Sequence, residues 1–140
     1  MANGFLLAVG MTRQRQMQVL QVAGGWNNVL DRFKSNHVDE MYNNPNRFMV
    51  LLIDFDDDEN RLKDAKAVIP EHLVDRVFVL SASSEPEDLK KASLGSYETI
   101  GLKLAKDCLE EIDTTWGHDL LRHNASELDR LRGHVRSILF

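Results

Sequence analysis

Two short stretches of the chain are apolar almost throughout: Phe48 to Ile53, between Arg47 and Asp54, and the end of Asp75-Arg76-Val77-Phe78-Val79-Leu80. Continuous runs of this length predict strands that are apolar on both faces, the kind found in parallel sheets covered by helices. Met17 to Ala23 alternates apolar residues with glutamine and predicts a further strand. Elsewhere the spacing is helical. Gly4 to Gly10 predicts a short helix from its alanine and leucine content. Trp26 to Met41 sets Val29, Leu30, Phe33 and Val38 on one face and stops at Asn43-Asn44-Pro45-Asn46. Asp57 to Ile69 buries Leu62, Ala65, Val68 and Ile69 and ends at Pro70. Tyr97 to Ile112 and Trp116 to Phe140 predict an antiparallel C-terminal pair, with Asp113-Thr114-Thr115 as turn and cap. The element order predicts a three-layer α/β fold with a small, mostly parallel sheet of three or four strands. At 140 residues, without repeat or linker, the chain is read as one domain over 1–140.

The chemistry is concentrated after the first buried strand, where Asp54, Asp56, Asp57 and Asp58 follow one another around Phe55. In a parallel sheet the ligand crevice lies beyond the carboxyl ends of the strands. Side chains alternate along extended backbone, so Asp54 and Asp56 project to one side. Two converging carboxylates suffice for Mg²⁺ or Mn²⁺, which keeps several waters, and Asp54 and Asp56 are therefore the candidate metal ligands. Asp57 and Asp58 also suit the first turn of the next helix, where the helix dipole favours acids. Glu85 and Glu87 flank Pro86 just past Ser81-Ala82-Ser83-Ser84. Parallel strands would bring them to the same edge, as a further ligand or general base, or as plain helix-opening acids. The catalytic candidates are thus Asp54, Asp56, Glu85 and Glu87. Gly24-Gly25, between predicted strand and helix, allows the close backbone approach of a phosphate-binding loop, or serves as a simple connection.

Other reactive residue types fit structural roles. His37, His72, His118, His123 and His134 show no metal-ligand spacing. Cys108 falls on an apolar helical face without a partner motif. Trp26 and Trp116 are packing anchors. Arg122, Arg130, Arg132 and Arg136 alternate with Asp119, Glu127 and Asp129 as a mixed solvated face.

Composition narrows the classes. The net charge of −5 lacks the overall basic footprint of a protein that grips nucleic acid unaided, though a local patch stays open. No apolar run reaches the roughly 20 residues of a membrane span, and Gly4–Gly10 lacks the flanks of a signal peptide. With its single cysteine, the chain is expected in the cytoplasm and off the membrane.

The order of strand, Gly24-Gly25 turn, helix, buried strand ending in Asp54-Phe55-Asp56, helix, and strand followed by an acidic turn resembles the TOPRIM domain of topoisomerases, primases and OLD-type nucleases. The resemblance covers Gly4 to Leu89. It implies Mg²⁺ held by Asp54 and Asp56, a further acid at Glu85 or Glu87, and nuclease-like chemistry on nucleic acid. The family's first strand and its terminal glutamate have no counterpart, because the chain starts at what would be the following helix. That implies either a missing N-terminal strand or a catalytically inactive module working through partners, such as a homodimer formed by the C-terminal helices. Val79-Leu80-Ser81-Ala82 also resembles the switch-hydroxyl strand of response-regulator receivers, but the preceding acidic pair and the later lysine strand are not found. A haloacid-dehalogenase phosphatase needs Thr or Val where Asp58 stands.

Overall fold

A computed structural model describes the chain apart from Phe55, Asp56, Asp57, Glu59 and the side chain of Pro86. It is an α/β structure containing a small parallel sheet and a C-terminal helix pair. The residues gather into two compact units, Val22–Glu85 and Met1–Gln21 with Pro86–Phe140.

The Val22–Glu85 unit holds the sheet. Strand β1 (Met49–Asp54) pairs in parallel with β2 (Val77–Ala82), with Met49 opposite Val77 and Asp54 opposite Ala82. Before β1 the chain runs through α2 (Trp26–Arg32), a π-helical turn (Phe33–His37) and α3 (Val38–Asn43). Between the strands lie α4 (Asn60–Ala67) and a 3₁₀ turn (Glu71–Arg76), so the crossover that a parallel pair requires is helical. In the π-helical turn the Val38 N–H reaches back to the Phe33 carbonyl, which inserts one residue into the helical register. Phe33, the first residue of that turn, and Met41 beyond it are both fully buried, in a core with Leu30, Leu51, Ile53, Ala65, Leu73, Val77 and Val79.

The expected sheet differs from the observed one in two respects. Two strands are present among the described residues, and Met17 to Ala23 pairs with neither. Its alternating pattern supplies strand propensity, but propensity without a partner edge does not make a strand. The second difference is exposure on one face of β1. Leu51 and Ile53 are buried, whereas Val50 is 39% and Leu52 is 49% exposed, so β1 is not covered on both sides. At β2 the strand runs on through Ser81 and Ala82, read from sequence as a turn, and every residue is buried.

Arg76, at the end of the 3₁₀ turn, fixes the connection from α3 to β1. Its Nη1 donates to the carbonyls of Met41 at 3.1 Å, Asn44 at 3.1 Å and Arg47 at 3.2 Å. Arg76→Met keeps the apolar stem and removes the donor. It should cost about 2 kcal/mol, at the low end for charged hydrogen bonds because the group is half-exposed and one nitrogen serves three acceptors. Urea unfolding checks this, and a change under about 0.3 kcal/mol would make the clamp incidental.

The other unit is helical: α1 (Ala2–Ala8), a 3₁₀ turn (Gln14–Gln16), α5 (Pro86–Lys91), α6 (Tyr97–Glu110) and α7 (Ala125–Leu139). Helix α6 starts at Ser96, whose hydroxyl accepts the Thr99 N–H, and stops where Glu111 turns left-handed at φ 56°. Ile112, expected on the buried face of α6, lies beyond its end and is 37% exposed. The last helix begins at Ala125 rather than Trp116. Between them, Asp107 captures the backbone N–H groups of Thr115 and Trp116, and short-range turns such as Leu121 N–H to His118 carbonyl run on to Asn124. Arg132, halfway along α7, reaches the Ile112 carbonyl at 2.9 Å and the Asp113 carboxylate. Among the described residues, no helix is long and apolar enough to cross a membrane.

Candidate functional site

The parallel register puts Asp54 and Ala82 side by side at the carboxyl edge of the sheet, so the chain leaves both strands at the same edge. Asp54 is half-buried there, and its main-chain carbonyl accepts a 2.7 Å hydrogen bond from Arg61 Nη1. Arg61 stands at the start of α4, with its guanidinium 5.3 Å from the centroid of the Trp26 ring. Stacking on the indole helps to hold the guanidinium in place. The sequence signal for this arginine is slight: a basic residue in the first turn of the helix following an acidic strand end. Trp26 packs against the core of its unit, as expected, and also supports Arg61.

Asp56 and Asp57 lie outside the described residues. Asp58 is exposed and bound locally, its Oδ1 accepting the Asn60 N–H and the Asn60 side-chain amide, both at 3.0 Å. That is an Asx turn leading into α4, the helix-opening role of an acid rather than a ligand's. Glu85 is exposed three residues beyond β2. Ser84 Oγ, two residues beyond β2, is buried without a hydrogen-bond partner among the described residues. Such an orphaned hydroxyl needs a water or a ligand oxygen. Glu87 belongs to the helical unit; burial first and then the nearby Glu87 carboxylate push the Tyr97 phenol above its ordinary value.

Gly24 and Gly25 adopt φ of 86° and 135°, conformations that side chains rarely adopt, and Gly25 caps α2. The Asn28 amide donates to the Gly24 carbonyl at 3.3 Å. The glycines lead into α2, but the strand expected before them is absent among the described residues.

At the opposite edge, Glu40, Asn44, Asn46 and Arg47 line a shallow polar groove. Arg47 forms an ion pair with Glu40, which lowers the Glu40 carboxyl below its ordinary value, and His37 Nδ1 stands 3.6 Å from the same carboxylate. Its charges are already matched to one another. Cys108 is buried, and that burial raises its thiol, so it stays a protonated core side chain rather than a nucleophile.

The expected donor set for a divalent cation is a pair, Asp54 and Asp56, of which Asp56 lies outside the described residues. Asp54 is at the strand end, Asp56 is its sequence partner, and no group of three or more His, Cys, Asp or Glu side chains converges among the described residues. A pair fits Mg²⁺ or Mn²⁺, whose remaining positions are held by water, and does not fit an all-protein cage. Comparison of the chain with protein-family models, with curated proteins and with solved structures finds no match.

Proposed function

We propose that the carboxyl edge of β1 and β2 binds a divalent cation through Asp54 and Asp56, and that the chain is a TOPRIM-like α/β protein related to phosphodiester chemistry on nucleic acid. The observation behind this reading is the parallel register of β1 and β2, which brings Asp54 and the acidic turn after β2 to one edge. When bound, such a cation supplies Lewis acidity, holding phosphate oxygens and acidifying a coordinated water. The chain's own contribution is positional. Asp54 and Asp56 would hold the metal, and Arg61, which donates to the Asp54 carbonyl and lies over the Trp26 ring, helps to fix the strand end that carries them. Ser84 Oγ offers a hydroxyl in search of an oxygen partner. Glu85 would act as the further acid; Glu87 lies in the other unit, beside Tyr97. The three-layer arrangement and the third or fourth strand of that family belong to the same proposal.

Thermal unfolding with and without Mg²⁺ or Mn²⁺ tests it. A ligand present at 100 times its dissociation constant stabilises the folded form by about 2.7 kcal/mol. The midpoint of the wild type should rise, and that of Asp54→Ala/Asp56→Ala should stay in place. An unmoved wild type, or an equal response from the double variant, would remove the site. Mn²⁺-dependent cleavage of single-stranded or plasmid DNA, lost in the double variant, is the corresponding activity. A non-enzymatic interaction module is the second reading, favoured by the exposure of Val50 and Leu52 on a strand.

A further inference from the structure

We infer that Met17–Ala23 of one copy adds to the open edge of β1 in a second copy, and that the exchange is reciprocal, giving a dimer in which each sheet gains a third strand. Three features of the chain meet in this pairing, none of them involving the cation site.

The first is an unfilled strand. Met17–Ala23 has the alternating pattern of a strand, and Met17 has extended backbone at φ −125° and ψ 131°. Gln18 to Ala23 nevertheless make no backbone–backbone hydrogen bond among the described residues. The segment is bounded on one side by Gly24 and Gly25, whose positive φ angles give it a pivot.

The second is an unfilled edge. Beyond its ladder with β2, the main chain of Met49–Ile53 makes no further backbone hydrogen bond among the described residues. Exposed edges are ordinarily guarded by lysine, proline or a bulge, and Met49-Val50-Leu51-Leu52-Ile53-Asp54 contains neither lysine nor proline. A sheet of two strands is also below the size at which sheets become independently stable.

The third is matched exposure. On β1, the exposed apolar residues are Val50 at 39% and Leu52 at 49%, two positions apart and so on one face. On the free segment they are Leu20 at 44% and Val22 at 91%, with the same spacing. Side-by-side pairing would place all four on a common face and cover them with one another. The lengths also agree, seven residues against the six of β1.

The size of the contact decides why a second copy is the occupant. Strand pairing gives about one main-chain hydrogen bond per residue, so one added strand of this length contributes about six. Reciprocal exchange between two copies doubles that to about twelve, within the roughly ten ± five of a stable protein interface, which a single strand addition reaches only at the margin.

Sedimentation or light scattering of the full chain over a wide concentration range should show a dimer. Leu20→Pro removes a main-chain donor at a position where the segment is exposed and unpaired, so the monomer should keep its unfolding midpoint while the dimer weakens at least tenfold. A separate readout uses disulfides: protein carrying Leu20→Cys or Val22→Cys, mixed with protein carrying Val50→Cys or Leu52→Cys, should cross-link between copies in at least one pairing. Leu102→Cys on α6, also exposed, should not. A monomer at all concentrations, an open-ended aggregate, or a dimer indifferent to Leu20→Pro would overturn the proposal. None of these results depends on metal, so the cation site stands or falls separately.

Discussion

Gly101→Ala is expected to destabilise the protein by about 2 kcal/mol, whereas Gly133→Ala is expected to stabilise it by about 0.5–1 kcal/mol. The two glycines occupy helices of similar length, α6 and α7, and intrinsic propensity alone predicts the same gain at both. Packing separates them. A Cβ at Gly133 meets nothing within 4 Å. At Gly101 it would overlap the Met1 carbonyl oxygen and lie 2.7 Å from the Phe5 nitrogen and 2.9 Å from the Gly4 Cα. These are backbone atoms, which cannot rotate aside as a side chain can. Gly4 is the reciprocal contact, since a Cβ there would lie 2.8 Å from the Glu98 Cα. Helices α1 and α6 thus meet backbone to backbone through one glycine each, and an added methyl must push them apart and loosen the buried contacts of Val9 and Ile100. Overpacking of about 3 kcal/mol, less about 1 kcal/mol of helix propensity, leaves the stated net loss. Urea unfolding of both variants checks it. Equal changes of the same sign would show that α1 does not approach α6 this closely.

That crossing was not legible in the sequence. Gly4 and Gly101 are isolated glycines in helical stretches, and nothing in the local pattern pairs residues 97 positions apart. What could be read were features whose causes are local. Phe48–Ile53 and Val77–Leu80 announce strands by composition, and both form and pair in parallel, although Val50 and Leu52 leave one face of β1 exposed. Asp54 could be placed at the end of β1 because side-chain alternation and strand polarity fix it there. The failures share a cause. Met17–Ala23 and Trp116–Asn124 carry the periodicities of a strand and a helix, but neither element forms without outside conditions. The first needs a partner edge, and the second is held in short-range turns such as His118 N–H to Thr115 carbonyl, against neighbours that the local pattern does not reveal. At the candidate site, Arg61 escaped notice for the same reason: its significance comes from reaching back to the Asp54 carbonyl and across to Trp26. Asp56, the other half of the proposed pair, falls outside the described residues, so its geometry with Asp54 belongs to the proposal.

The carboxylate that holds the turn at Thr115 and Trp116 gives the second large effect. Asp107→Ala should cost about 3 kcal/mol, and Asp107→Asn about 1 kcal/mol. Asp107 is only 2% exposed, and its Oδ2 accepts the Thr115 N–H at 2.6 Å and the Trp116 N–H at 3.0 Å. Both donors belong to buried residues, with Thr115 3% and Trp116 6% exposed, so water does not replace the lost acceptor easily. Alanine leaves two N–H groups orphaned at about 1–3 kcal/mol each. Asparagine keeps an oxygen in place and loses the charge assistance and some of the geometry. The consequences should extend along the chain. Trp116 Nε1 donates to the Leu104 carbonyl at 3.2 Å, so release of the turn frees the indole from α6 and should shift its fluorescence towards longer wavelength as water enters. The order wild type, asparagine, alanine in both unfolding free energy and emission is the signature expected. If alanine matched asparagine, the retained amide oxygen would be worth nothing to the two N–H groups, and the turn from Asp113 to Asn124 would owe its form to the apolar anchors Trp116 and Leu121 instead of to the captured N–H groups.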